Sequence, residues 1–148
     1  MTATADPRRR ASALDLDLPA AEWLPRLSVA ATFLYHGITK FPNLEGMAGY
    51  LGLPVALFTL VAIVEVGAGL ALIAGGALRS ALGDILTRLG GAGVAVIMVG
   101  AIALVHWGQW SNGPTEAHPA GGMEFQTLLL ALGLMWLARG NRALHGRP

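Results

Sequence analysis

The sequence predicts an all-α fold, a transmembrane four-helix bundle with N-terminus and C-terminus both cytoplasmic. Three observations predict it. Of 148 residues, 54% are hydrophobic and only 13% charged, and the mean hydropathy is +0.56, a balance that suits lipid rather than water as the main solvent. The apolar residues fall into four long runs broken by polar or Gly- and Pro-containing segments. The cations are segregated: Arg8, Arg9 and Arg10 precede the first run, Arg79 and Arg88 lie between the second and third, and Arg139, Arg142 and Arg147 follow the fourth. The other two connections, 42–53 and 108–122, hold no Lys or Arg, so the positive-inside rule places them outside and both ends inside. In a prokaryote this is a multi-pass protein of the inner membrane.

The elements follow in order. Residues 1–22 form a basic, polar tail with Pro and Ala and no sustained apolar period. A secretory or twin-arginine signal is the rival reading, but the apolar run begins well after the arginines and no small-residue cleavage site follows. The domain proper covers 23–140. Its first span, 23–41, has Pro25 near its start and Phe41-Pro42 as its stop. The second, 54–76, opens on Pro54 and is interrupted only by Glu65. The third, 88–107, follows a connection at 77–87 and is apolar from Leu89 to Val105. The fourth, 123–138, follows a loop rich in Gly, Pro and Asn and gives way to a basic tail at 141–148. Trp23, Trp107 and Trp110 sit near interfaces, with Trp136 a little deeper. Gly67, Ala71 and Gly75 recur every four residues in span two, a smooth ridge for a close helix of the same bundle, with homodimerisation as the secondary reading.

Composition also excludes chemistries. The chain has no cysteine, which removes disulfides, thiolate metal sites and iron–sulfur ligation. The segregated charge reports topology, so no nucleic-acid partner is expected; the lipid bilayer is the partner implied.

Ionisable residues inside the spans are the informative ones, because a charge in hydrocarbon requires a partner, a wet cavity or a function. Helical steps of 100° put Arg26, His36 and Lys40 within an arc of about 80° on span one, with Arg26 and Lys40 about 21 Å apart along the axis. That stripe must face inward, where Glu65, close to the midplane, is available to neutralise Lys40 or Arg26. His106 ends span three and Glu124 opens span four on the outer side, so His36, Lys40, Glu65, His106 and Glu124 converge on one candidate polar pocket in the outer half. Against this stand blander roles: Lys40 and Arg26 snorkelling to headgroups, His106 as an interfacial residue, Glu124 at a helix N-terminus. Haem ligation is disfavoured, since His36 and His106 differ in depth by about 6 Å. No local metal-ligand spacing is present, so no metal is expected.

The residues also resemble the DoxX family of small four-helix membrane proteins. RLSVAATFLYHGITKF is similar to the family's opening pattern through Arg26, Gly37 and Lys40, and VAIVEVGAGLALIAGG to its second helix through Glu65, Gly67 and Gly69. Thr87-Arg88 resembles the start of the third helix, with a connection before it, 77–86, that is longer than expected. VHWGQW and GGMEFQTLLLALGL resemble the third-helix His, the outer loop and the fourth-helix Glu with its aromatic neighbour, here His106, Glu124 and Phe125. The resemblance implies a subunit or accessory of a quinone-linked membrane oxidoreductase, with quinone as the cofactor and a soluble or membrane oxidoreductase subunit as a partner. A quinone headgroup would then meet His36, Lys40 or His106, with Glu65 tuning protonation. A non-catalytic anchor or assembly partner is the alternative, and a small transporter a third reading, weakened by the absence of an inverted repeat or broken helix.

Overall fold

The computed structural model describes residues 18–141, all helix, turn and loop with no strand among them. The signal-versus-tail question and the cations at 8–10, 142 and 147 lie outside the described residues. Four long helices carry the fold: α1 Leu18–Lys40, α3 Val55–Ala77, α4 Ala81–Ala101 and α5 Glu124–Arg139. A 3-10 turn at Phe41–Asn43 and a short helix α2, Leu44–Tyr50, link α1 to α3, and a π-helical turn at Ile102–His106 extends α4. In the order of packing, α1 lies on α3, α3 on α4, and α4 on α5.

Two of these helices, Val55–Ala77 and Ala81–His106 counted through its π turn, are long and apolar enough to cross a membrane. α4 starts earlier than the span expected from hydropathy. Residues 81–87, read as connection, are helical because Ser80 accepts a hydrogen bond from Gly83 N at 3.3 Å and Asp84 sits in the first turn, where both favour a helix N-terminus. The link from α3 is thereby reduced to residues 78–80, which removes the over-long connection.

The core is a cluster of Val29, Ala30 and Phe33 from α1, Ala68 and Leu72 from α3, Val94, Ile97 and Met98 from α4, and Leu129 and Trp136 from α5. Its polar complement lies at the end with the short 78–80 loop. There Arg26 is wholly buried and donates to Leu72 O at 2.8 Å, to Thr87 Oγ1 at 3.0 Å and to Asn141 Oδ1 at 3.2 Å. The Trp23 and Trp136 rings flank its guanidinium at 5.8 and 5.7 Å, and Glu22 stands 3.8 Å away. Asn141 in turn donates to Gly75 O at 2.5 Å, so the residue just after α5 is tied to α3. Arg88 closes this end. It pairs with Asp84 at 2.7 Å and donates to the last carbonyls of α5, Leu137 O at 2.8 Å and Ala138 O at 2.9 Å.

Outside the core the polarity is reversed relative to a water-soluble protein. Leu60, Ile63 and Leu70 of α3, Leu89, Val96 and Val99 of α4, and Leu128 and Leu134 of α5 all face outward, while Arg26, Glu65, Thr87 and Asn141 face inward. The small-residue ridge on α3 serves two directions. Gly75 lies against Thr87 and the Gly83 carbonyl of α4, whereas a side chain at Gly67 would meet nothing within 4 Å. The closest backbone approach is between α4 and α5, where a Cβ on Gly91 would stand 2.6 Å from both Gly133 O and Leu137 N.

Neither of those contacts can yield, because both are backbone. Gly91→Ala is therefore expected to destabilise the protein by about 1–3 kcal/mol through overpacking, while Gly67→Ala leaves stability unchanged or slightly raised. Thermal unfolding of the two variants in the same detergent checks the contrast.

Candidate ligand cavity

The end opposite Arg26 carries the two longer connections, 41–54 and 107–123. Here the helices part around a cavity of about 420 Å³, within the range of small-molecule sites. Its walls are mostly apolar: Phe33, Leu57, Phe58, Val61, Ile97, Met98, Leu104, Phe125 and Leu129 among them. Its polar side chains are few and come from α1, α3, the π turn and α5, namely Thr32, His36 and Lys40, Glu65, His106, and Gln126.

Lys40 is the last residue of α1 and Glu65 is near the middle of α3, so only a long, folded-back side chain can join them. Lys40 Nζ reaches Glu65 Oε2 at 2.5 Å and also donates to His36 O, one turn back, at 3.1 Å. Both side chains are largely withdrawn from the surface, at 13% and 8% exposure, so their attraction is screened less than in a surface pair and loss of either partner leaves a poorly solvated charge. The Phe58 ring lies 5.9 Å from the ammonium. Glu65 thus engages Lys40, and Arg26, the other cation considered for it, has Glu22 as its acid.

His36 lines the cavity with an exposed ring, set edge-on to Tyr35 at 5.5 Å between centroids. His106 ends the π turn and is held on both sides. Its Nδ1 lies 3.0 Å from Gly121 O and its Nε2 3.0 Å from the Gln126 amide nitrogen. Insertion of a π turn at the end of an α-helix re-aims the side chains that follow it and is frequent at functional sites.

Glu124 does not join this group. It is exposed, and its Oε2 accepts a hydrogen bond from Asn112 N at 3.1 Å, pinning the 107–123 connection to the start of α5. The next two residues, Phe125 and Gln126, take the place in the wall expected for it. Gln126 was not foreseen, because an amide in the first turn of a helix reads as interfacial. The signal available was its position two residues past Glu124, on nearly the opposite face of the helix. Among the described residues no group of three His, Asp or Glu side chains is placed to hold a metal ion.

The described residues are helices and loops without strands, with two helices long and apolar enough to cross a membrane, apolar outer faces, and Arg26 and Glu65 turned inward, the pattern of a membrane-protein domain. Its family is given by comparison with family models, where the DoxX model matches residues 22–107. The chain belongs to the DoxX family. The match runs from the start of α1 to the end of the π turn, so α5 and Gln126 lie beyond it. No curated protein matches the chain, and no solved structure does.

The Lys40–Glu65 pair sets a clear expectation. Glu65→Ala leaves a withdrawn ammonium without its counter-charge and lowers unfolding free energy by about 3 kcal/mol. The double variant Lys40→Met with Glu65→Leu recovers most of that loss, since it removes both charges. Equal stability of Glu65→Ala and the parent chain in a detergent melt would contradict the pair.

Proposed function

We propose that all four long helices cross the bilayer as a bundle with both termini cytoplasmic, and that the cavity binds the headgroup of a quinone-type ligand as part of a quinone-linked oxidoreductase system. The observation that carries the ligand reading is the cavity itself: an apolar chamber of about 420 Å³ into which Lys40, Glu65, His36, His106 and Gln126 converge. Flat aromatic rings with polar edges fit walls of Phe and Leu with a few fixed hydrogen-bonding groups. The bundle reading is supported by α1 and α5, which pack on the two apolar helices and turn Leu24, Leu27, Leu128 and Leu134 outward, as lipid-facing helices do. The oxidoreductase role comes from the family resemblance, with the chain as a subunit or accessory rather than the site of the whole reaction.

The alternative, a non-catalytic anchor or assembly partner, is favoured by a specific observation. Arg26 and the Lys40–Glu65 pair are both engaged inside the chain, as in groups that set helix register.

The absence of native cysteine makes the topology directly testable. Gly113→Cys, in the exposed outer connection, is expected to react with a membrane-impermeant maleimide in intact cells. Arg79→Cys, in the loop between α3 and α4, is expected to react only after permeabilisation. The reverse pattern would overturn the orientation.

For the ligand, the protein purified in mild detergent is expected to retain extractable quinone, or to bind added quinone, and to lose it on Glu65→Gln with the melt still cooperative. A folded protein that neither retains nor binds quinone, but brings a soluble oxidoreductase with it through purification, would favour the anchor.

A further inference from the structure

Gln126 holds a feature that the proposed function does not use. Its amide nitrogen faces His106 Nε2 at 3.0 Å, and its Oε1 is buried with no hydrogen-bond donor among the described residues. The orientation of that amide is dictated from behind. Gly121 O can only accept, so His106 Nδ1, 3.0 Å from it, carries the ring proton. With the proton on Nδ1, Nε2 serves as the acceptor for the NH₂ side of the Gln126 amide, which lies 3.0 Å away. The Gly121 carbonyl is itself fixed, because Gly121 N donates to His118 O at 3.0 Å and Gly122 N to Ser111 O at 2.9 Å. A chain of constraints from loop to imidazole to amide therefore leaves Oε1 as an acceptor without a donor, on a residue that lines the cavity.

A buried acceptor left unmatched is unfavourable by more than a typical hydrogen bond contributes. Gln126 is part of the cavity wall, and because Oε1 itself is occluded a ligand donor must part that wall slightly to reach it. We propose that Gln126 Oε1 is the selecting contact of the cavity, and that the cavity takes an apolar, ring-bearing ligand with a hydroxyl or N–H donor in preference to the same ligand with only acceptors. This rests on the reading of the cavity as a ligand site. For a quinone couple it names the favoured form: the hydroquinone, whose O–H donates to Oε1, over the quinone, whose carbonyl would bring two acceptors face to face. Gln126 is the binding contact and His106 a positioning residue, since without its Nε2 nothing prevents the amide from rotating.

Two probes that differ in the donor alone test this without redox chemistry: 4-heptylphenol and its methyl ether, titrated into the detergent-purified full chain. The parent protein is expected to favour the phenol, and Gln126→Met, which keeps the length of the side chain but removes the amide, to reduce that preference by about tenfold, or ~1.4 kcal/mol. Because the two probes partition differently into detergent, the change in their affinity ratio on substitution is the quantity read. His106→Phe is expected to lower the ratio as Gln126→Met does, whereas loss of a merely structural role would weaken both probes alike and leave the ratio unaltered. A ratio unaltered by Gln126→Met in a cooperatively melting variant would overturn the selecting role and leave the cavity as a ligand site. A ratio moved toward the phenol by Gln126→Met would also overturn it, by showing the amide presented the other way. Binding of neither probe nor quinone would overturn the cavity reading and this inference together. Should Gln126→Met fail to fold, Gln126→Leu and the His106→Phe ratio decide the matter by the same criteria.

Discussion

The buried guanidinium of Arg26 is the constraint on which the rest of the structure depends. A full positive charge with no exposed surface is tolerable only where its N–H groups meet acceptors. The acceptors come from three separate parts of the chain: Leu72 O of α3, Thr87 of α4 and Asn141 beyond α5. These bonds, made by the two terminal nitrogens while the buried Nε has no partner among the described residues, fix α1 against the other three long helices. Thr87 also donates to Asn141 Oδ1 at 2.6 Å, and Asn141 donates on to Gly75 O, so the contacts close into a ring around the charge. At its far end α1 is held again, by Lys40 on Glu65. The two fixed points lie about 21 Å apart by helix rise, with Val29, Ala30 and Phe33 packed between them.

That arrangement explains why the cavity opens where it does. Near Arg26, glycines and a threonine let α3, α4 and α5 come close: Gly75 on Thr87, and Gly91 on Gly133. Toward the other end the wall residues are bulkier, with Phe33, Phe58, Ile97, Leu104 and Phe125, and the helices cannot approach as closely. The chamber is the space that remains when helices held tightly at one end are separated by large side chains at the other. At the same end Leu51 and Leu53 join the wall, and the 107–123 connection is tied down by Glu124 on Asn112 and by His106 on Gly121.

Much of this was legible in the sequence, and the exceptions have identifiable causes. The apolar runs of α3 and α4 and the polar stripe of Arg26, His36 and Lys40 on α1 follow from helical period alone. Hydropathy missed the first turns of α4, since capping by Ser80 and Asp84 is a local hydrogen-bonding property that an apolar average dilutes. The two cations of α1 had one obvious acid between them in Glu65; Glu22, which stands by Arg26, was hidden in what read as the polar tail. Asn141 was hidden for a related reason, because a residue in a basic tail gives no sign that its amide turns back into the core. Convergence of Glu124 was inferred from depth, but depth does not specify azimuth. At the start of α5 a shift of two residues turns the side chain by about 200°, enough to exchange a loop-pinning carboxylate for a cavity-lining amide.

The electrostatics of the chamber narrow what it can hold. Lys40 and Glu65 cancel at 2.5 Å, so the charges in the wall present a dipole rather than a net charge. An anionic ligand would compete with Glu65 for Lys40 and a cationic one with Lys40 for Glu65, and each would leave the displaced partner unmatched in a poorly solvated site. A neutral ligand disturbs neither. It gains from the apolar walls by burial and is oriented by the dipole and by the two fixed side chains, His106 and Gln126. On the proposed reading of the cavity as a ligand site, the same ion pair that locks α1 to α3 directs it toward neutral, lipid-soluble molecules, so that helix register and ligand class would follow from one contact.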